Sequence, residues 1–197
     1  AEATCAATAE VVGCATEEVL VCSTGLIGIP LPVDAVVEGV PSAVASATGG
    51  AEGGAAAAEA LRTTDTHRKE AAARAGAATV GGMAKGAAML APSMATMLAV
   101  LTTDAEADAV TLGRVLAAGV EGSFNSLLTD GCRSTNDTVL LLASGRAGPV
   151  GEADLAAAVA EVCRSLAEQM ADDAEGATKV VRLTVAGAAT DADARTG

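Results

Sequence analysis

"TMLAVLTTDAEADAVTLGRVLAAGVEGSF", residues 96–124, decides the fold. Its first nine residues are apolar and Thr-rich and end in the hydroxyls of Thr102 and Thr103. They read as a buried strand. The remainder, 105–124, repeats apolar side chains at helical spacing. Asp104 stands at its start as a cap, with acids in the first turn, where the helix dipole favours them. The stretch therefore predicts a strand over 96–104 and a helix over 105–124.

The same alternation runs outward in both directions. Upstream, "ATVGGMAKGAAML" (78–90) has strand character interrupted by Gly81, Gly82 and Gly86, and "TTDTHRKEAAA" (63–73) opens with cap formers and leads into another strand. Before them, "GGAEGGAAAAEALRT" (49–63) reads as a glycine-punctuated loop and an Ala-rich helix. "IPLPVDAVVEGV" (29–40) is broken by Pro30 and Pro32 ahead of a short helix. "EVLVCSTGLIG" (18–28) reads as a short apolar strand running into a Thr-Gly turn, and the first 19 residues as helix. Downstream, "LLTDGCRSTND" (127–137) is a loop with an Asp-Gly turn. "TVLLLASG" (138–145) is a continuous apolar strand, expected to be buried on both faces. Residues 152–172 form a helix with Leu155, Val159, Val162, Leu166 and Met170 on one face. "ATKVVRLTVAG" (177–187) reads as a strand. Strands interleaved with helices indicate the α/β class.

With 197 residues, half of them hydrophobic, the chain can bury a sizeable core. Aromatics are 1%, with Phe124 alone, so packing falls to Ala, Val, Leu and Met. A net charge of −13 opposes phosphate backbones and excludes nucleic acid as a partner. Five cysteines with no CxxC spacing and a single histidine, His67, do not make a zinc site. They read as small buried hydrophobes in a reducing compartment. No signal peptide or membrane-length apolar run is expected, and both ends of the chain read as cuts.

No Ser, Cys or Thr lies in a recognisable catalytic triad. A threonine has another route to activation. If the peptide bond before it is cut, its own α-amine becomes a base within reach of its hydroxyl. Such an amine titrates at about 7.7–8.0 unperturbed, which suits cell pH. In "APSMATMLAVLTTDA" (91–105), Thr96 follows the small Ala95, which leaves room for the hydroxyl to attack the Ala95 carbonyl.

"KGAAMLAPSMATMLAVLTTDA" (85–105) resembles the self-cleavage segment of the ornithine acetyltransferase family, the bifunctional glutamate/ornithine N-acetyltransferases of arginine biosynthesis. "VCSTGLIG" (21–28), "LRTTDT" (61–66), "GGMAKGAAMLAP" (81–92), "STNDTVLLLASG" (134–145) and "EGATK" (175–179) fit the same family in the same order. The resemblance implies a layered α/β sandwich of the self-processing N-terminal-nucleophile type. It implies cleavage at Ala95–Thr96, with 1–95 the end of an α chain and 96–197 the start of a β chain. Thr96 is then the nucleophile. It takes acetyl from N-acetylornithine and passes it to glutamate, and some members also accept acetyl-CoA. Thr24 and Gly25 match the oxyanion hole, as a hydroxyl and a turn amide both donate to a tetrahedral oxyanion. Lys85 matches a substrate-contacting lysine, suited to a carboxylate. Thr63 or Thr64 matches a substrate-contacting threonine, and the doublet leaves the register open.

The family's proteins extend further at both ends. Their acidic substrate contact in a Glu-Asp-Pro-Asn-Trp segment has no counterpart here. The resemblance also implies a cytoplasmic α/β heterotetramer without metal or other cofactor. Two other readings stand beside it: a self-processing amidohydrolase or aminopeptidase of related fold, and a non-catalytic chain that is never cut.

Overall fold

The computed structural model describes the chain except residues 26–27, 91–96, 133, 135 and 197, and the side chains of 191, 195 and 196. Six α-helices and four strands are described: α1 (Glu2–Val12), α2 (Val33–Ser46), α3 (Gly50–Leu61), β1 (Lys69–Ala75), β2 (Ala78–Lys85), β3 (Leu98–Glu106), α4 (Ala109–Glu121), β4 (Thr138–Pro149), α5 (Glu152–Asp172) and α6 (Asp191–Thr196). The strands form one sheet in the order β1-β2-β3-β4. The first two pairings are antiparallel and β3–β4 is parallel, with α4 in the crossover, so the class is mixed α/β as expected.

The core lies between this sheet and the pair α4–α5. Leu155, Val159, Val162, Leu166 and Met170, the stripe read from the sequence, are all buried. Helix α5 comes so close to β2 that a Cβ on Gly82 would stand 2.8 Å from Val162 Cγ1 and 3.1 Å from Leu166 Cδ1. Only hydrogen fits there. Helix α4 meets α5 in the same way at Gly119, where a Cβ would lie 3.1 Å from Val159 Cγ1. In a chain nearly without aromatics, backbones must approach closely to fill space, and glycine permits that approach.

Gly82 faces α5, so alternation along β2 turns Ala84 to α5 and Lys85 to the opposite face. Lys69 pairs across the ladder with Ala84 and shares its face. This places two buried lysines at one end of the sheet, on opposite faces.

Several local expectations are overturned. Strand β3 runs to Glu106, because Ala105 and Glu106 pair with Gly148 and Pro149 of β4. Helix α4 therefore starts later, at Ala109, and its cap is Asp108, which accepts from Thr111 N at 2.7 Å. Asp104 accepts instead from Thr79 N at 2.7 Å and joins β3 to β2 at the end of the ladder away from their connection. The first turn of α4 holds no acid. β4 is covered on one face only: Leu141 is buried, but its neighbour Leu142 is 45% exposed. Residues 18–25 and 177–187 form no strand, although Val181 and Leu183 stand exposed in extended sequence. Each lacks a ladder partner among the described residues. The N-terminal helix stops at Val12, where Gly13 takes a left-handed φ of 82°, and only a 3-10 turn follows over Thr16–Glu18. Helix α3 absorbs the glycines expected as a loop, and α2 spans fourteen residues with Pro41 inside it. Among the cysteines, Cys5 and Cys163 are buried as expected, but Cys14 and Cys132 are exposed.

Candidate active site

The ladder gathers the candidate residues at one end of the sheet. Lys69 at the start of β1 pairs with Ala84, Lys85 at the end of β2 pairs with Leu98, and Leu98 pairs with Thr138 at the start of β4. The loops 62–68, 86–97 and 127–137 all leave from this end.

Ala95 and Thr96 lie outside the described residues, but both flanks of their segment are pinned to the 127–137 loop. Leu90 N donates to Thr129 Oγ1 at 3.1 Å, and Thr129 N donates to Leu90 O at 2.7 Å. Met89 N donates to Asp130 Oδ2 at 2.7 Å. On the other flank, Met97 N donates to Asp137 Oδ1 at 2.9 Å, and Thr138 N donates to Met97 O at 3.1 Å. Met89 carries the one positive φ of a non-glycine residue among those described, 56°. Backbone in that region persists only where neighbours hold it, and here the Asp130 carboxylate does so. The amides of Met89 and Cys132 hold that carboxyl below its usual range against the opposing effect of burial.

Thr24 reaches the same loop. Its half-buried hydroxyl points to Asn136 Oδ1 at 3.5 Å, the long limit of a hydrogen bond. Asn136 also accepts from Ser134 Oγ at 3.1 Å. Asn136 and Asp137 are adjacent, so the loop connects Thr24 to the residue that follows Thr96. Gly25 is exposed, has no left-handed φ, and a Cβ there would meet nothing within 4 Å. The local fold does not itself demand glycine at that position.

Lys85 is 4% exposed, so it is no surface lysine. Burial lowers its pKa; Asp65, Asp137 and Glu175 act against that fall, and Lys69 adds to it. The Lys85 ammonium is thus held in partial desolvation, where a carboxylate bound beside it is attracted more strongly than in water. Thr63 and Thr64 are both exposed on the loop before β1. Thr63 N donates to Asp65 Oδ2 at 3.3 Å within that loop, and Asp65 in turn accepts from Gly86 N just after β2.

A second group at this end was not singled out in the sequence. Lys69 is fully buried and bridges Asp65 Oδ1 at 2.7 Å and Asp173 Oδ2 at 2.6 Å. Asp65 also accepts from Gly86 N at 2.7 Å. Thr66 donates to Asp173 through both its amide and its hydroxyl. Burial alone would raise both carboxyls. For Asp65 the Gly86 amide and the Lys69 ammonium more than offset it, and for Asp173 Lys69 and Thr66 do; both groups lie below the usual range. The signal available in sequence was Asp65 and Lys69 four residues apart just ahead of an apolar strand. His67, on the surface, lies 3.5 Å from Asp173 Oδ1 through Nδ1. Glu175 is exposed, and its amide donates to Ala87 O at 2.6 Å and ties the segment after α5 to the loop after Lys85. Among the described residues no group of three or more His, Cys, Asp or Glu side chains could hold a metal ion. No described helix is long and apolar enough to cross a membrane.

The ArgJ family's sequence profile matches residues 1–197. The chain belongs to the ArgJ family. It is 48% identical over 193 residues to the arginine biosynthesis bifunctional protein ArgJ of Streptomyces coelicolor, covering 98% of this chain and 50% of that protein. Identity to ArgJ of Mycolicibacterium paratuberculosis is 53% over 179 residues, 90% of this chain and 44% of the relative. Identity to ArgJ of Geobacter sulfurreducens is 46% over 199 residues, 95% of this chain and 50% of the relative. The chain thus spans about half the length of the ArgJ proteins it matches. Within that half lie both flanks of the Ala95–Thr96 bond, Thr24, the Thr63–Thr64 doublet and Lys85.

Proposed function

We propose that this chain is the central part of an acetyltransferase of arginine biosynthesis, which moves acetyl from N-acetylornithine to glutamate through an acetyl-Thr96 ester. The carrying observation is the convergence of Lys85, Leu98, Thr138 and the Asn136–Asp137 loop at one end of the sheet, around the chain that contains Ala95–Thr96.

In this reading the Thr96 hydroxyl attacks the Ala95 carbonyl, the Ala95–Thr96 C–N bond breaks to give an ester and a free α-amine on Thr96, and water hydrolyses the ester to an Ala95 carboxylate and the Thr96 hydroxyl. That amine takes the hydroxyl proton as Thr96 Oγ attacks the acetyl carbon of N-acetylornithine. Thr24 and the Gly25 amide donate to the oxyanion. Collapse expels ornithine, whose nitrogen takes up the proton. Glutamate's amine then attacks the ester, and the acetyl leaves Thr96 as N-acetylglutamate. Lys85 pairs with a substrate carboxylate, and Thr63 or Thr64 donates a hydroxyl beside it. Acetyl-CoA is an alternative acetyl donor, no metal or other cofactor takes part, and the working form is a cytoplasmic α/β heterotetramer completed by chain beyond these residues.

The test is intact mass of the purified protein beside Thr96→Ala. Two species parted between Ala95 and Thr96, absent from the variant, support the reading and make acetyl transfer to glutamate the next assay. Transfer to water in place of glutamate would make the protein an amidohydrolase. A single uncut mass in both samples would refute self-processing by this chain.

A further inference from the structure

Asp65 and Asp173 share Lys69, yet their other contacts differ. Asp65 uses Oδ1 for Lys69 Nζ and for Gly86 N, and Oδ2 for Thr63 N. One buried carboxylate thus ties three pieces of chain: the loop with the Thr63–Thr64 doublet, the start of β1, and the residue after Lys85. Asp173, just past the end of α5, bonds Lys69 and Thr66. Lys69 lies on the α5 face of the sheet and Lys85 on the opposite face, so Asp65 spans the sheet end between them.

We propose that Asp65 is a positioning residue: it fixes the end of β2 so that the Lys85 ammonium is aimed, and kept charged, for a substrate carboxylate, while Lys69 and Asp173 brace it from behind. This rests on the reading of Lys85 as the carboxylate-binding residue. A bond from a backbone amide to a charged acceptor is about twice as strong as a neutral one, so the Asp65–Gly86 contact sets where the strand ends and where the Lys85 side chain departs. The charge arrangement has the same sense. Lys85 is opposed by burial and by Lys69, and supported by Asp65, Asp137 and Glu175, of which Asp65 has the largest effect. Without Asp65 the opposing Lys69 ammonium is left with less counterbalance.

The experiment is a lysine titration by NMR on this chain, with Lys85 assigned by its loss in Lys85→Arg, together with hydrogen exchange at the Gly86 amide. In Asp65→Asn the Lys85 midpoint falls by about one pH unit or more, and Gly86 exchange accelerates about tenfold. In Asp173→Asn, which removes the other partner of the same lysine, Gly86 exchange is unchanged and the Lys85 midpoint falls by clearly less than in Asp65→Asn. Equal effects in the two variants, or no change at Gly86 in Asp65→Asn, overturn the proposal, since a merely stabilising ion cluster would respond to either loss. Asp65→Glu keeps the charge but displaces it; it accelerates Gly86 exchange and leaves the Lys85 midpoint in place, and serves where Asp65→Asn does not fold. Acetyl transfer separates the two levels. If the wild type transfers no acetyl to glutamate while the NMR contrast holds, the functional reading fails and the positioning role stands. If transfer occurs, Asp65→Asn raises the KM for glutamate about tenfold with little change in kcat, and Asp173→Asn leaves both close to the wild-type values.

Discussion

Lys69→Met tests the buried ion cluster directly. The side chain keeps its length and loses its charge, while Asp65 and Asp173 remain, both nearly inaccessible to water. The contacts of 2.7 and 2.6 Å to a common nitrogen place the two carboxylate oxygens no more than about 5 Å apart. At an effective dielectric near 20, two unit charges at about 5 Å repel by roughly 3 kcal/mol. That agrees with the about 3–5 kcal/mol found when one partner of a buried pair is removed. It is a large part of a domain's stability of about 5–15 kcal/mol. The sign with pH differs between the two proteins. In the wild type both carboxyls are depressed, so their contribution is complete above the unfolded value of about 3.9 and is lost as pH falls through the folded values. In Lys69→Met one carboxyl is raised by the other, so taking up a proton relieves the repulsion and the penalty shrinks as pH is lowered. Urea unfolding followed by far-UV circular dichroism at about pH 7 and about pH 5 measures both effects. A loss of about 3 kcal/mol at the higher pH, clearly smaller at the lower, is expected. A loss below about 1 kcal/mol, or one equal at the two pH values, would refute the reasoning. Adding Asp65→Asn and Asp173→Asn to Lys69→Met should recover most of the loss.

Three further outcomes follow from the fold. Asp108→Ala should cost about 1 kcal/mol as the loss of an N-cap, whereas Asp104→Ala should leave α4 intact and speed hydrogen exchange at the Thr79 amide, its partner at 2.7 Å. Burial pushes the Cys163 thiol up to about 11, so alkylation of the folded chain near pH 8 should label the exposed Cys14 and Cys132 and spare Cys163, as read by peptide mass spectrometry. Gly82→Ala should destabilise by about 1–3 kcal/mol through overpacking against Val162 and Leu166; Gly25→Ala, where a Cβ meets nothing, should leave the unfolding midpoint unchanged.

The elements legible in the sequence are those whose pattern and partner are both close by. Helix α5 has an apolar stripe that repeats over its whole length, and β1, β2 and β3 follow one another as antiparallel neighbours, so local pattern and tertiary pairing agree. The misread boundary at Asp104 shows the opposite case. Asp104 and Asp108 are equally good caps locally; the choice is made by Gly148 and Pro149, over forty residues away, which extend the β3 ladder past Asp104. The segments 18–25 and 177–187 carry strand composition without a ladder partner among the described residues. Composition says that a segment suits a sheet, not which strand it meets. The site was legible in the same uneven way. Lys85 and the Thr63–Thr64 doublet were found through resemblance, and the structure adds that Lys85 is buried. The Asp65–Lys69–Asp173 cluster was missed because Asp173 joins it from more than a hundred residues away.

The position of the Ala95–Thr96 bond makes physical sense on this sheet. The connection from β2 to β3 runs over residues 86–97, well beyond the about 2–5 residues of an ordinary hairpin loop. Such length is tolerated because loop closure becomes costlier only slowly as a chain lengthens. A cut inside it removes no rung of either ladder: β3 stays paired with β2 on one side and with β4 on the other. Its new N-terminus would start two residues before Leu98, whose ladder partner is Lys85. The two products should therefore part on a denaturing gel and remain together under native conditions. If they separate without denaturant, the β2–β3 ladder does not hold the cut chain together.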